Sequence, residues 1–170
     1  MLARNETIFK WALYACAALL CLLVQGALLQ RLSLWGVIPF IYPLLAAIPA
    51  TYEEPVSGTI FALAVGVVCD LLLPGPNPCF YTLVFPLVGL AASLLSKSLL
   101  PAGFLCSAAA AAAAFLLVDG SRCLLMWMMA RPAWSAGLSL MAREFLLTLP
   151  LIFPVTLLFR AVFLKTHLDD

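Results

Sequence analysis

The chain has 170 residues, of which 65% are hydrophobic and 10% charged, with a formal net charge of +1. That composition lies far outside the range of soluble domains, and one membrane domain takes up nearly all of it. A near-zero net charge without a Lys/Arg block argues against nucleic acid and against a polybasic lipid-binding tail. Six cysteines (Cys16, Cys21, Cys69, Cys79, Cys106, Cys123) lie mostly inside apolar runs, no CxxC occurs, and His167 is the only histidine. These cysteines read as small hydrophobes, and no metal or cofactor is expected.

Helix one is expected over 11–30, where an apolar run follows Arg4 and Lys10. Its start resembles a signal peptide, but the run is long, so an uncleaved first helix is the expectation. Gln25 and Gln30 fall near its far end, and Arg31-Leu-Ser makes a short turn. Helix two, 34–50, holds Pro39, Pro43 and Pro49 and is expected to be kinked or partly unwound, because each internal proline removes a backbone bond. Tyr52-Glu53-Glu54-Pro55 is a polar turn whose two acids precede the next helix and favour its positive end.

Helix three, 56–73, lies in GTIFALAVGVVCDLLLPG. Gly58, Ala62, Gly66 and Asp70 recur every four residues, so they form one narrow stripe along which another helix can come close. Asp70 is then on the packed face, where an acid in a bilayer costs roughly 2.5–3.5 kcal/mol unless it meets a partner. Pro74-Gly75-Pro76-Asn77-Pro78 ends the helix. Helix four, 79–96, repeats the spacing with Gly89, Ser93 and Lys97, and the two stripes are expected to pair.

Helix five, 102–129, contains seven consecutive alanines, Ala108 to Ala114, and the polar group Asp119-Gly-Ser-Arg122, with Gly120 as a candidate kink. Asp119 and Arg122, three residues apart, read as a local ion pair. Gly137–Glu144 is expected as a short interfacial piece, and helix six, 145–164, contains Pro150 and Pro154. Asp70 and Asp119 fall at similar depth. Arg122 is therefore the expected cation for Asp70, tying helix three to helix five; bonds from nearby backbone are the alternative. With six helices both termini share a side. The cations Arg4, Lys10, Lys97, Arg160 and Lys165 then oppose Arg31, Arg122, Arg131 and Arg143, which favours cytoplasmic ends.

From about Gln25 to Leu95 the order of signals resembles the rod shape-determining MreD family of bacterial inner-membrane proteins. The residues that carry the resemblance are the Gln-bearing end of helix one, Leu34-Trp-Gly36, the proline-bearing helix two, and a G…G…D-L-L…G pattern. Gly58, Gly66, Asp70, Leu71, Leu72, Gly75 and Gly89 match that pattern. The loop departs from it, with Pro-Gly-Pro-Asn-Pro in place of Ser-Gly-x-x-Leu-Gly. Helices five and six match only in character. The resemblance implies a non-enzymatic membrane subunit of the cell-elongation machinery. Its expected partners are MreC, the MreB filament, RodA and a penicillin-binding protein that together build lateral peptidoglycan. Gly58, Ala62, Gly66, Asp70, Gly75, Gly89 and Ser93 are then the helix-packing and partner-binding candidates, and Asp70, Asp119 and Arg122 the intramembrane polar ones. The family also resembles the six-helix S components of energy-coupling-factor vitamin transporters, which supplies a rival expectation of substrate binding. A proton-linked carrier ranks third, since intramembrane acids mark ion paths but no inverted repeat is visible. No Ser/His/Asp set, HExxH or Gly-rich phosphate loop points to an enzyme.

Overall fold

The computed structural model describes residues 2–31, 36–73, 78–101, 103–129 and 134–167. They form six α-helices: α1 (Leu2–Ala27), α2 (Tyr42–Tyr52), α3 (Pro55–Leu72), α4 (Phe80–Ser98), α5 (Phe104–Met128) and α6 (Trp134–His167), with a 3-10 turn at Leu29–Arg31. All except α2 are long and apolar enough to cross a membrane. The chain is an all-α, multi-pass membrane protein.

The short α2 is the axis of the bundle. Leu44, Leu45, Ala46, Ala47, Ile48 and Ala50 are 0% exposed, so no side of this helix meets lipid or water. It packs against every other helix. A helix that is apolar all round belongs in a core, and here Ala46, Ala47 and Ala50 keep it thin enough to be enclosed.

Helix two does not begin at 34 as the hydrophobic run suggests. Residues 38–41 lie outside any helix, and α2 starts only at Tyr42 with Pro43 in its first turn. Proline disfavours the helical conformation for the residue before it, here Ile38, yet is well suited to a helix start. Two side chains satisfy the backbone this leaves open. Gln25 Nε2 donates to Pro39 O (2.8 Å), while Ile41 N donates to Gln25 Oε1 (3.1 Å). Phe40 N donates to Thr148 Oγ1 of α6 at 3.2 Å. Irregular backbone is tolerated at membrane depth only where protein satisfies it in this way.

The segment still crosses. Its start is held at Gln25 and its end at Lys10, whose Nζ lies 2.7 Å from Glu53 Oε2. At 1.5 Å per residue those two positions are about 22 Å apart along α1. The helices therefore alternate in direction. The start of α1, the end of α2 and the end of α6 meet at one end of the bundle, through Lys10–Glu53, Tyr14–Phe159 and Tyr52–Phe163.

Two other boundaries move. The expected break before helix six is absent: residues 137–144 are helical and continuous with the rest of α6. Nothing in that stretch forbids helix, and Gly137 lets it pack on α5, since a Cβ there would stand 2.8 Å from Cys123 Sγ. Helix one starts earlier than 11, at Leu2, because no proline or glycine interrupts its first turns. Through Gly120, α5 continues as α-helix.

Candidate functional site

The two small-residue stripes face one another between α3 and α4, the most extensive helix pair in the molecule. A Cβ on Gly66 would come within 2.7 Å of Tyr81 O, and one on Gly89 within 2.7 Å of Ala62 Cβ. A Cβ on Gly58 would lie 2.9 Å from Ser93 Oγ and 3.0 Å from Ala50. Gly58, Ala62, Gly66, Gly89 and Ser93 are thus all buried between helices of this chain rather than offered to a partner. Ser93 Oγ reaches Ala50 O (2.8 Å) and Gly89 O (2.9 Å), and Ser96 Oγ donates to Thr51 O (2.7 Å). The last carbonyls of α2, which no helical N–H can reach, find donors on α4. Gly75 lies outside the described residues.

Asp70 does not reach Arg122. Its Oδ1 accepts from Tyr81 N (3.0 Å), and its Oδ2 accepts from Thr82 N (2.7 Å) and Thr82 Oγ1 (2.6 Å). Those two amides belong to the first turn of α4 and have no carbonyl of their own helix to bond. The residue at the cap position, Cys79, has φ 61° and caps nothing with its side chain. Asp70 supplies the missing cap from the preceding helix, where its charge also complements the positive helix end. The missing local cap was a signal in the sequence: a helix starting at Phe80 with Cys79, rather than Ser, Thr, Asn or Asp, at its cap position needs a borrowed acceptor.

Arg122 stands at the centre of a second cluster. Its Nη1 donates to Asp119 Oδ1 (3.1 Å) and its Nη2 to Tyr81 Oη (2.5 Å), and Glu144 Oε2 of α6 lies 3.8 Å from Nη1. The guanidinium lies over the rings of Phe40 (4.9 Å to the centroid) and Tyr81 (5.7 Å). Stacking on aromatic faces while bonding in plane is what a planar guanidinium does and an ammonium cannot. The i, i+3 pair Asp119–Arg122 is present, as its spacing suggests. Tyr81 joins the two acid sites: its amide is held by Asp70, its hydroxyl by Arg122.

Comparison with protein-family models, with curated proteins and with solved structures returns no match.

Beside Arg122 opens a cavity of about 300 Å³, lined by Glu144, Arg122, Gln25, Gln30, Phe40 and neighbouring residues of the 36–42 segment. Sequence reasoning overlooked Glu144, Tyr81, Thr82 and Phe40. Glu144 was legible, since any carboxylate inside an apolar helix marks a candidate site; reading 137–144 as a short interfacial piece hid it. Phe40 and Tyr81 carried no signal, because an aromatic residue beside a proline or a helix start is ordinary.

Proposed function

We propose that this chain is a non-enzymatic subunit of the cell-elongation machinery in a bacterial inner membrane. In this reading it is a scaffold related to MreD that binds MreC, with MreB, RodA and a penicillin-binding transpeptidase as further partners. One observation carries the reading. The residues behind the resemblance, Gly58, Gly66, Asp70 and Gly89, are those on which the α3–α4 hairpin depends, so the pattern reads as the signature of one folded unit. The start of α1 and the end of α6 lie at one end of the bundle, and the positive-inside bias of Lys10, Lys97, Arg160 and Lys165 favours the cytoplasm for that end.

Much of α1, α5 and α6 presents large apolar side chains outward, among them Leu23, Leu105, Leu116, Phe153 and Leu157. With the glycine stripes already used internally, a single-span partner would dock against one of these outer faces. Affinity purification from native membranes in mild detergent tests the proposal. It should recover a single-span protein with a coiled-coil segment, and depletion of the chain should turn rods into spheres.

The cavity beside Arg122 favours a second reading, a substrate-binding S component of a vitamin transporter, because polar groups there converge on an open space. Recovery of a pair of ATPases with a coupling subunit in the same purification would select it.

A further inference from the structure

We propose that the cavity between α1, the 36–42 segment, α5 and α6 is a binding site for a primary ammonium group, held by the carboxylate of Glu144. Charge makes the first argument. Asp119 and Glu144 bring two carboxylates to a single guanidinium, Arg122, and no other cation among the described residues pairs with them. Arg143, next in sequence to Glu144, is exposed and makes no ion pair among the described residues. Arg122 is committed elsewhere, to Asp119 and the Tyr81 hydroxyl, and stands 3.8 Å from Glu144, beyond hydrogen-bond range.

Unfilled hydrogen-bonding capacity makes the second. Asp119 is 5% exposed, and its Oδ2 accepts no hydrogen bond from the described residues; neither does Glu144 Oε2, though both atoms are buried. A buried charge without a partner is costly, and an excess carboxylate in a bilayer more so. A cation in the cavity would restore neutrality. The cavity supplies the third argument. At about 300 Å³ it has room for a small head group, Glu144 lines it directly, and Gln30 at its edge is exposed. Gln25 lies two residues before the end of α1, with Arg31 following in the 3-10 turn, which puts the cavity toward the membrane interface rather than deep in the acyl core. An ammonium with three N–H donors suits a carboxylate at that depth; a quaternary choline, with none, does not. Ethanolamine lipids and free small amines both carry the group.

The test uses the full chain, equilibrated with vesicles containing equal parts phosphatidylethanolamine, phosphatidylcholine and phosphatidylglycerol, followed by native mass spectrometry of the lipid retained in detergent. Phosphatidylethanolamine should be retained over phosphatidylcholine by roughly tenfold or more, the equivalent of one charge-assisted hydrogen bond. Glu144→Gln should abolish that preference, whereas Glu54→Gln, at the opposite end of the bundle, should keep it. Equal retention of the three head groups by the unaltered chain overturns the proposal, as does undiminished selectivity in Glu144→Gln. If that variant fails to fold, the selectivity of the unaltered chain decides alone. Displacement of the lipid by millimolar free ethanolamine supports the site and identifies a free amine as its source; selectivity that survives ethanolamine supports it with the lipid head group as the source.

Discussion

Asp70 shows how an acid becomes tolerable inside a membrane helix. No cation among the described residues neutralises it; it accepts two amides and a hydroxyl at the start of α4. Asp70→Asn keeps the shape but removes the charge and turns an NH2 group toward the donors. It should cost about 2 kcal/mol of stability, as expected for hydrogen bonds to a charged group, measured by denaturant unfolding in mixed micelles. Thr82→Val removes one of the three donors and should cost about 1 kcal/mol. Because Arg122 belongs to a different cluster, Asp70→Asn and Arg122→Gln should add to within about 0.5 kcal/mol in a double-mutant cycle. A larger coupling would mean that the two sites communicate through Tyr81, whose amide and hydroxyl touch one each.

At the scale of elements, α3 and α4 lie so close that three glycines have no room for a methyl group. Gly66→Ala would push a Cβ against the backbone carbonyl of Tyr81, and Gly89→Ala would push one against Ala62 Cβ. Each should destabilise by about 1–3 kcal/mol, the usual cost of overpacking, and Gly66→Leu should exceed both. Gly120, in the middle of α5, has nothing within 4 Å of its would-be Cβ. Gly120→Ala should therefore be neutral or stabilising by up to about 1 kcal/mol, since only helix propensity changes. The same unfolding assay separates the four variants; a destabilising Gly120→Ala would show that α5 is packed there by something beyond the described residues.

For the whole molecule the alternation of six helices is the testable feature. In a Cys79→Ser background, a cysteine placed at Lys97 should react with an impermeant thiol reagent from the side on which both chain ends lie. The native Cys79, exposed at the other end of α4, should react only from the opposite side. Reversal of the two, with the Lys97 position labelled from the side opposite the start of α1, would mean that the 36–52 segment does not cross. The Lys10–Glu53 ion pair helps close the bundle at the first end. Glu53 is the more buried partner, its side chain 7% exposed, so Lys10→Met, which strands it, should cost more than a surface pair is worth, about 3 kcal/mol.

The sequence by itself determined the class of protein, the existence of the long helices and the close pairing of α3 with α4. Apolar runs and four-residue spacing are local properties, and in a bilayer a helix must satisfy its own backbone. The Asp119–Arg122 pair was legible for the same reason, one helical turn separating the two. Only the tertiary structure decided the rest. Asp70 found backbone instead of Arg122 because α4 begins without a cap of its own. Helix two became a short, enclosed axis because Gln25 and Thr148, distant in sequence, could satisfy the backbone that Pro39 leaves open. Glu144 joined Arg122 because α6 runs unbroken through the expected interfacial piece and passes α5 at the level of Asp119. Each outcome depends on which groups meet across helices, and that is a property of packing that no spacing along one helix encodes.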